Sequence, residues 1–177
     1  LLACACSILK DLGVNDYRIL VNNRKILTGF FKSMNIEDDK IESVIRIVDK
    51  LDKKSEKEVI DELKQNGFTN GKEILNGLNV NLDEFEKNEF CVEGATELRE
   101  LFHLLESYGI TNVQFVPTIA RGLGYYTGPI YEIKSSNPKL GTICAGGRFD
   151  TMLELYSGKS VPAVGISFGV DRLTILF

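Results

Sequence analysis

Residues 121–133 read RGLGYYTGPIYEI, which places one arginine, three glycines and three tyrosines in thirteen positions. The stretch is either a glycine-rich loop that holds a phosphate or the entry to a strand, and the two readings imply different folds. Its glycines are spaced G-x-G-x-x-x-G, not the G-x-G-x-x-G of a dinucleotide loop. Tyr125 and Tyr126 also stand where backbone would have to approach a pyrophosphate. A second candidate, GKS at 158–160, looks like the end of a P-loop, but the upstream glycine position holds Leu153. AGGRFD at 145–150 fits neither pattern.

What remains is arginine paired with glycine. Arg121 precedes Gly122, Arg148 follows Gly146 and Gly147, and Arg172 follows Gly169. Glycine admits a ligand close to the backbone, and the guanidinium is a fixed planar cation suited to phosphate or carboxylate. Three such segments on successive strands are expected to bring their arginines to one anionic ligand. Tyr125 and Tyr126 read as strand residues on opposite faces, unless Gly122 and Gly124 bend the chain.

Working outward, PIYEIKSS (129–136) alternates and ends in the turn signal Asn137-Pro138. GTICAGG (141–147) reads as a strand, DTMLELYSG (150–158) as a short helix, PAVGISFGV (162–170) as a buried strand, and DRLTILF (171–177) as the start of a helix. NVQFVPTIA (112–120) is extended. Short strands joined by hairpin-like turns predict an α+β fold with a mainly antiparallel sheet. The strand–helix alternation of a parallel nucleotide-binding sheet is missing.

Upstream, LLACACSILKDLG (1–13) is a helix stopped by Gly13, and YRILVNN (17–23) is a strand. The middle is helical and charged. Asn35 with Asp38 is expected to cap one helix, Ser55 with Glu58 a second that Gly67 stops, and Asn70 with Glu73 a third. ATELRELFHLLESYG (95–109) is a fourth, stopped by Gly109.

Composition is that of an ordinary globular chain: 177 residues, 44% hydrophobic and 26% charged. The net charge of −4 argues against broad nucleic-acid binding through charge alone. From Asn112 onward, however, six Lys/Arg face four Asp/Glu. Cys4, Cys6, Cys91 and Cys144 form no CxxC pair, and His103 alone could assist them, so no zinc site is expected. The cysteines read as free buried thiols in a reducing compartment, and His103 as a helix-surface residue. No apolar run is long enough to cross a membrane. Opening on Leu1 in what reads as a helix already under way, the sequence is expected to be part of a longer chain.

RGLGYYTGPIYE, CAGGRFD and PAVGISFGVDRL together resemble three consecutive signatures of histidyl-tRNA synthetase, a class II aminoacyl-tRNA synthetase, and LGVNDYRILVNNRKIL resembles the segment after its motif 2. The resemblance implies a class II type antiparallel sheet with flanking helices. It divides the chain into a first core segment (1–28), a helical insertion (29–94) and a second core segment (95–177). It implies histidine, ATP and tRNA(His) as partners, Mg²⁺ arriving with ATP, a homodimeric full-length protein, and the cytoplasm. Arg121 matches the catalytic arginine that meets the histidine carboxylate and the α-phosphate. Tyr125, Tyr126, Phe149 and Gly146 match the histidine pocket, and Arg172 and Gly169 the ATP site. Lys53, Lys54, Lys57 and Lys64 of the insertion are candidate tRNA contacts. The family's usual Asp is Gly124 here, and its usual Tyr is Phe149. Motifs 1 and 2 and the anticodon-binding domain fall outside this sequence, so the chain alone is expected to show little or no aminoacylation. Two other readings fit the same motifs: the regulatory subunit of ATP phosphoribosyltransferase, which is a non-catalytic paralogue, and a synthetase-like domain that senses tRNA.

Overall fold

The computed structural model describes residues 1–137 and 140–175. Five strands form one sheet: β1 (Tyr17–Asn23), β2 (Val113–Phe115), β3 (Pro129–Ser135), β4 (Thr142–Arg148) and β5 (Val164–Phe168). The order across the sheet is β2-β1-β3-β4-β5. The β1–β2 pair is parallel and the other pairs are antiparallel, as the hairpin-like spacing predicted. β5 is an edge strand with partly exposed residues, not the buried strand its apolar sequence suggested, because it pairs on one side alone. The turn expected at Asn137-Pro138 and the helix end beyond Ile175 run outside the described residues.

Register sets the two faces. Leu20, Glu132, Ala145 and Ser167 stand opposite one another across four strands and share one face. Ile19, Ile133, Cys144 and Phe168 form the next row and share the other. Helices α1 (Leu2–Asp11) and, later in the chain, α7 (Val92–Ser107) line a cavity with Tyr131 on that second face.

Between β1 and α7 lies the helical middle. α2 (Arg24–Ser33) was not foreseen, because the two Asn of YRILVNN read as a strand end. The Asn23 side chain in fact accepts from the Lys25 amide at 3.0 Å and starts a helix. Asn35 does not cap α3 (Asp38–Val48), whose N-cap is Glu37 without a side-chain bond. Asn35 instead closes α2. It holds φ +58, its amide bonds to Lys32 O at 2.9 Å, and the Ile36 amide bonds to Phe31 O at 3.1 Å. These are the two bonds of a Schellman stop, and Asn is the residue that tolerates the left-handed position after glycine.

A 3-10 turn, Asp49–Asp52, follows α3 directly. α4 (Glu56–Gln65) opens on the expected Ser55–Glu58 capping box. Next come α5 (Gly71–Leu78), where Asn70 is the N-cap without a side-chain bond, and α6 (Leu82–Glu86), which the sequence reading did not assign. The short α8 (Glu154–Ser157) and α9 (Val170–Thr174) flank β5.

One hydrophobic cluster runs through all these parts. It joins Ile19, Val21 and Ile133 of the sheet to Val44, Ile45, Leu63 and Ile74 of the helical middle. Each such fully buried side chain stabilises the fold by about 1.5–3 kcal/mol. Edge-to-face rings carry the connection: Phe30 of α2 meets Phe85 of α6 at 6.0 Å, and Phe85 meets Phe115 of β2 at 5.7 Å.

Candidate functional site

The face that carries Glu132 is crossed by the 3-10 turn, and between them lies a cleft of about 470 Å³. Arg121, Glu132, Thr142, Ser167, Gly169 and Arg172 line it from the sheet side. Asp49, Lys50, Asp52 and Lys53 line it from the turn.

The approach to Arg121 is built on buried polar groups at the β1–α2 junction. Asn22, fully buried, donates to Pro117 O at 2.9 Å and to Ile119 O at 2.8 Å. Arg24, also buried, donates to Ala120 O at 3.4 Å and pairs with Glu42 of α3. Unsatisfied polar atoms at this depth cost free energy, so these bonds select one path for residues 117–120. Arg121 then takes φ +50, and the Leu123 amide folds back onto the Arg121 carbonyl. The Gly122 amide is left to donate to Asp49 Oδ2 at 3.0 Å.

This turn sends the Arg121 guanidinium into the cleft. Its Nη1 donates to Glu132 Oε1 at 2.9 Å, and the other Glu132 oxygen accepts from Thr142 Oγ1 at 2.9 Å. Arg172 donates to the carbonyl of the same Thr142. A continuous chain of contacts thus runs Arg121–Glu132–Thr142–Arg172. Burial works against the Arg121 charge. Hydrogen bonding and attraction from Glu132, with smaller contributions from Tyr126, outweigh it and raise the Arg121 pKa above its ordinary value. The Arg121 Nε–H is buried and has no hydrogen-bond partner among the described residues.

Tyr125 and Tyr126 are not strand residues on opposite faces. They lie in the loop before β3, beyond the turn that Arg121 makes at φ +50. Their ring centroids are 4.5 Å apart, and the Tyr125 hydroxyl donates to that of Tyr126 at 3.4 Å. That bond, with burial adding to it, raises the Tyr125 pKa. Phe149 stands edge-on to both rings, at 5.8 and 6.4 Å. Neither tyrosine nor Phe149 lines the cleft: Tyr126 acts on it only through Arg121, while Tyr125 faces a separate pocket of about 540 Å³ with Gly124, Thr151 and Met152.

Arg148 does not join the other two arginines. It is three residues beyond Ala145 on β4, so strand alternation turns it to the α1–α7 face, at the margin of a second cavity of about 670 Å³. Its Nε donates to Asp150 Oδ2 at 2.7 Å. Gly146 points the same way. A Cβ there would lie 2.8 Å from the Tyr131 hydroxyl and 2.0 Å from Gly165 O, which accepts from that hydroxyl at 2.8 Å. Gly147 borders that second cavity too, and a Cβ there would strike the Tyr126 ring at 2.8 Å. The four lysines are divided as well. Lys53 lines the cleft, Lys54 pairs with Glu62 at 2.9 Å, and Lys57 and Lys64 lie exposed on α4.

Sequence reasoning missed Glu132, Thr142, Asp49 and the Asn22–Arg24 group. Glu132 left one signal, a lone carboxylate in the apolar alternation of PIYEI. The other residues had none, since their partners lie far along the chain. Among the described residues no three carboxylates, thiols or imidazoles are grouped to hold a metal ion. Asp49, Asp52 and Glu132, the carboxylates of the cleft, already serve Gly122, Lys134 and Arg121. Nor is any described helix long and apolar enough to cross a membrane.

Known proteins resemble this chain in sequence and fold. The chain is 39% identical to the histidine–tRNA ligase of Clostridium tetani, over 93% of this chain and 40% of that protein. It is 36% identical to the histidine–tRNA ligase of Nostoc punctiforme, over 97% and 40%. It thus spans about 40% of the length of the curated relatives it matches. The crystal structure of histidyl-tRNA synthetase from Nostoc sp. PCC 7120 superposes with a TM-score of 0.89 at 33% identity, covering 98% of this chain and 44% of that one. An ATP phosphoribosyltransferase regulatory subunit/histidyl-tRNA synthetase from Bacillus halodurans C shares the fold, with a TM-score of 0.80 at 19% identity, covering 98% and 48%. The sequence model of the family described as histidyl-tRNA synthetase matches residues 1–173, and with the sheet, the motifs and these likenesses in agreement, the chain belongs to the histidyl-tRNA synthetase family.

Proposed function

We propose that the cleft binds histidine and ATP together, and that the protein containing this chain is a cytoplasmic, homodimeric histidine–tRNA ligase. The observation that carries this reading is the contact chain that links Arg121 to Arg172 within one cleft. Two fixed guanidinium groups suit a substrate pair with a carboxylate at one end and a triphosphate at the other.

The chemistry follows from the charges. The histidine carboxylate is ionised at neutral pH and attacks the α-phosphorus without a base. The new bond joins carboxylate oxygen to phosphorus, the α–β phosphoanhydride breaks, and pyrophosphate leaves with the electron pair. Negative charge gathers on the phosphoryl oxygens during the transfer, and a preoriented Arg121 stabilises it. Glu132 holds that guanidinium in place and keeps it charged. The unpartnered Nε–H of Arg121 is a buried donor, worth about 1–3 kcal/mol to whatever oxygen satisfies it. Tyr126 and Phe149 are offered as the wall that receives the imidazole ring, with the Tyr126 hydroxyl as its polar contact. Arg172 is assigned to the nucleotide, and Gly169 to close approach of that nucleotide to the backbone. Mg²⁺ is taken to arrive bound to the triphosphate. Transfer to tRNA(His) follows, with exposed Lys57 and Lys64 as the contacts on the insertion side.

Pyrophosphate exchange by the full-length protein, with histidine and ATP, tests this reading. Arg121→Ala is expected to slow it by roughly 10²–10³. Full exchange by that variant contradicts the role given to Arg121. Histidine binding without any exchange by the unsubstituted protein would favour a regulatory paralogue. The 177-residue chain by itself is expected to catalyse no measurable exchange.

A further inference from the structure

The peptide groups on either side of Arg121 are both held by groups anchored on the helical middle. Ala120 O accepts from Arg24, which is paired with Glu42 of α3. The Gly122 amide donates to Asp49, the first residue of the 3-10 turn. Between them Arg121 sits at φ +50, a conformation that a non-glycine residue keeps only when its surroundings impose it. The same turn reaches the other end of the Arg121–Glu132 pair. Asp52 binds Lys134, whose ammonium lies 3.6 Å from Glu132 Oε2.

The geometry points to Asp49 as a positioning residue that fixes the backbone of Arg121 and so aims its guanidinium into the cleft. An inference about the use of that guanidinium rests on the histidine and ATP reading above. The physical reason is directional. The tight turn closed by Leu123 exposes the Gly122 amide, and a carboxylate oxygen 3.0 Å away is a strong acceptor for it. Without the acceptor, residue 121 relaxes toward the ordinary right-handed region and its side chain leaves the Glu132 row. The helical middle is then part of the catalytic geometry, and a shift of its 3-10 turn moves Arg121.

The test uses full-length protein and pyrophosphate exchange with histidine and ATP. Asp49→Ala is expected to lower kcat by on the order of ten- to a hundredfold, the usual cost of a misplaced group. Asp49→Asn keeps an acceptor oxygen and is expected to restore the rate to within about threefold of the unsubstituted protein. The Arg121→Ala/Asp49→Ala pair is expected to be no slower than Arg121→Ala alone, because Asp49 acts through Arg121. An unaltered kcat in Asp49→Ala overturns the inference while leaving the role of Arg121 intact. Multiplicative losses in the pair overturn it too. Full activity in Arg121→Ala is a different failure, that of the functional reading itself. If Asp49→Ala does not fold, amide hydrogen exchange at Gly122 in the unsubstituted protein decides. Protection is expected, and exchange at the rate of a free loop overturns the inference.

Discussion

At the scale of single residues, the glycines of the motifs serve different ends. Gly147 is required by the protein itself, since a Cβ would lie 2.7 Å from Pro129 O and 2.8 Å from the Tyr126 ring. Gly169 is not, since its Cβ would meet nothing closer than 3.6 Å and its φ is −80. Gly169→Ala is therefore expected to change stability by under about 1 kcal/mol, a modest N-cap effect, while raising the KM for ATP in the proposed ligase activity of the full-length protein. An unchanged KM means that nothing approaches the backbone there. Burial of Cys144 makes a second prediction, on pH. It pushes the thiol from 9.0 up to about 12, so above pH 9 the unfolded chain loses a proton that the folded chain keeps. The unfolded state then binds fewer protons, and stability falls as pH rises through that window, with no effect below it. The thermal midpoint is expected to drop between pH 9 and 10.5, and Cys144→Ala to flatten the slope. An equally steep slope in the variant argues against it. The sequence singled out Arg121 and Arg172 by nearby glycines and by the family motifs, and both line the one cleft. Glu132 was not, because a carboxylate in a strand is ordinary until its partner is known.

At the scale of elements, α2 shows packing overruling propensity. Alanine favours a helix over glycine by about 1 kcal/mol. A Cβ on Gly29, however, would lie 2.0 Å from Phe90 O, where the chain enters α7. Overpacking costs about 1–3 kcal/mol, so Gly29→Ala is expected to destabilise the protein. A higher midpoint in urea would show that α2 does not lie against that backbone. The stops of α1, α4 and α7 and the start of α4 were readable, because Gly13, Gly67 and Gly109 and the Ser55–Glu58 box act within one turn of chain. Asn35 was assigned to the wrong helix, because an Asn suits both an N-cap and a left-handed stop. Only the bonds to Lys32 and Phe31 distinguish the two. The limits at residues 28 and 94 fall within α2 and α7, so the insertion is covalently and sterically continuous with the core.

For the whole molecule, that continuity predicts one unfolding transition. The hydrophobic cluster spans sheet and helical middle without a break. No tyrosine lies between residues 29 and 94, and the chain has no tryptophan. The near-ultraviolet tyrosine signal therefore reports the sheet half, while far-ultraviolet ellipticity reports all helices. Coincident melting of the two signals in this chain is expected, and separated midpoints would mean that the middle unfolds as its own unit. By itself, the sequence determined the elements that depend on local bonds, the antiparallel character of the sheet and the family motifs. Tertiary structure alone decided which arginines share a cleft. Strand register turns Arg148 away, and an aspartate 73 positions before Gly122 secures the loop of Arg121. The reason is range: helix stops and caps are settled within about four residues, whereas a strand's face is set by pairing with distant chain, and one residue of slip reverses it.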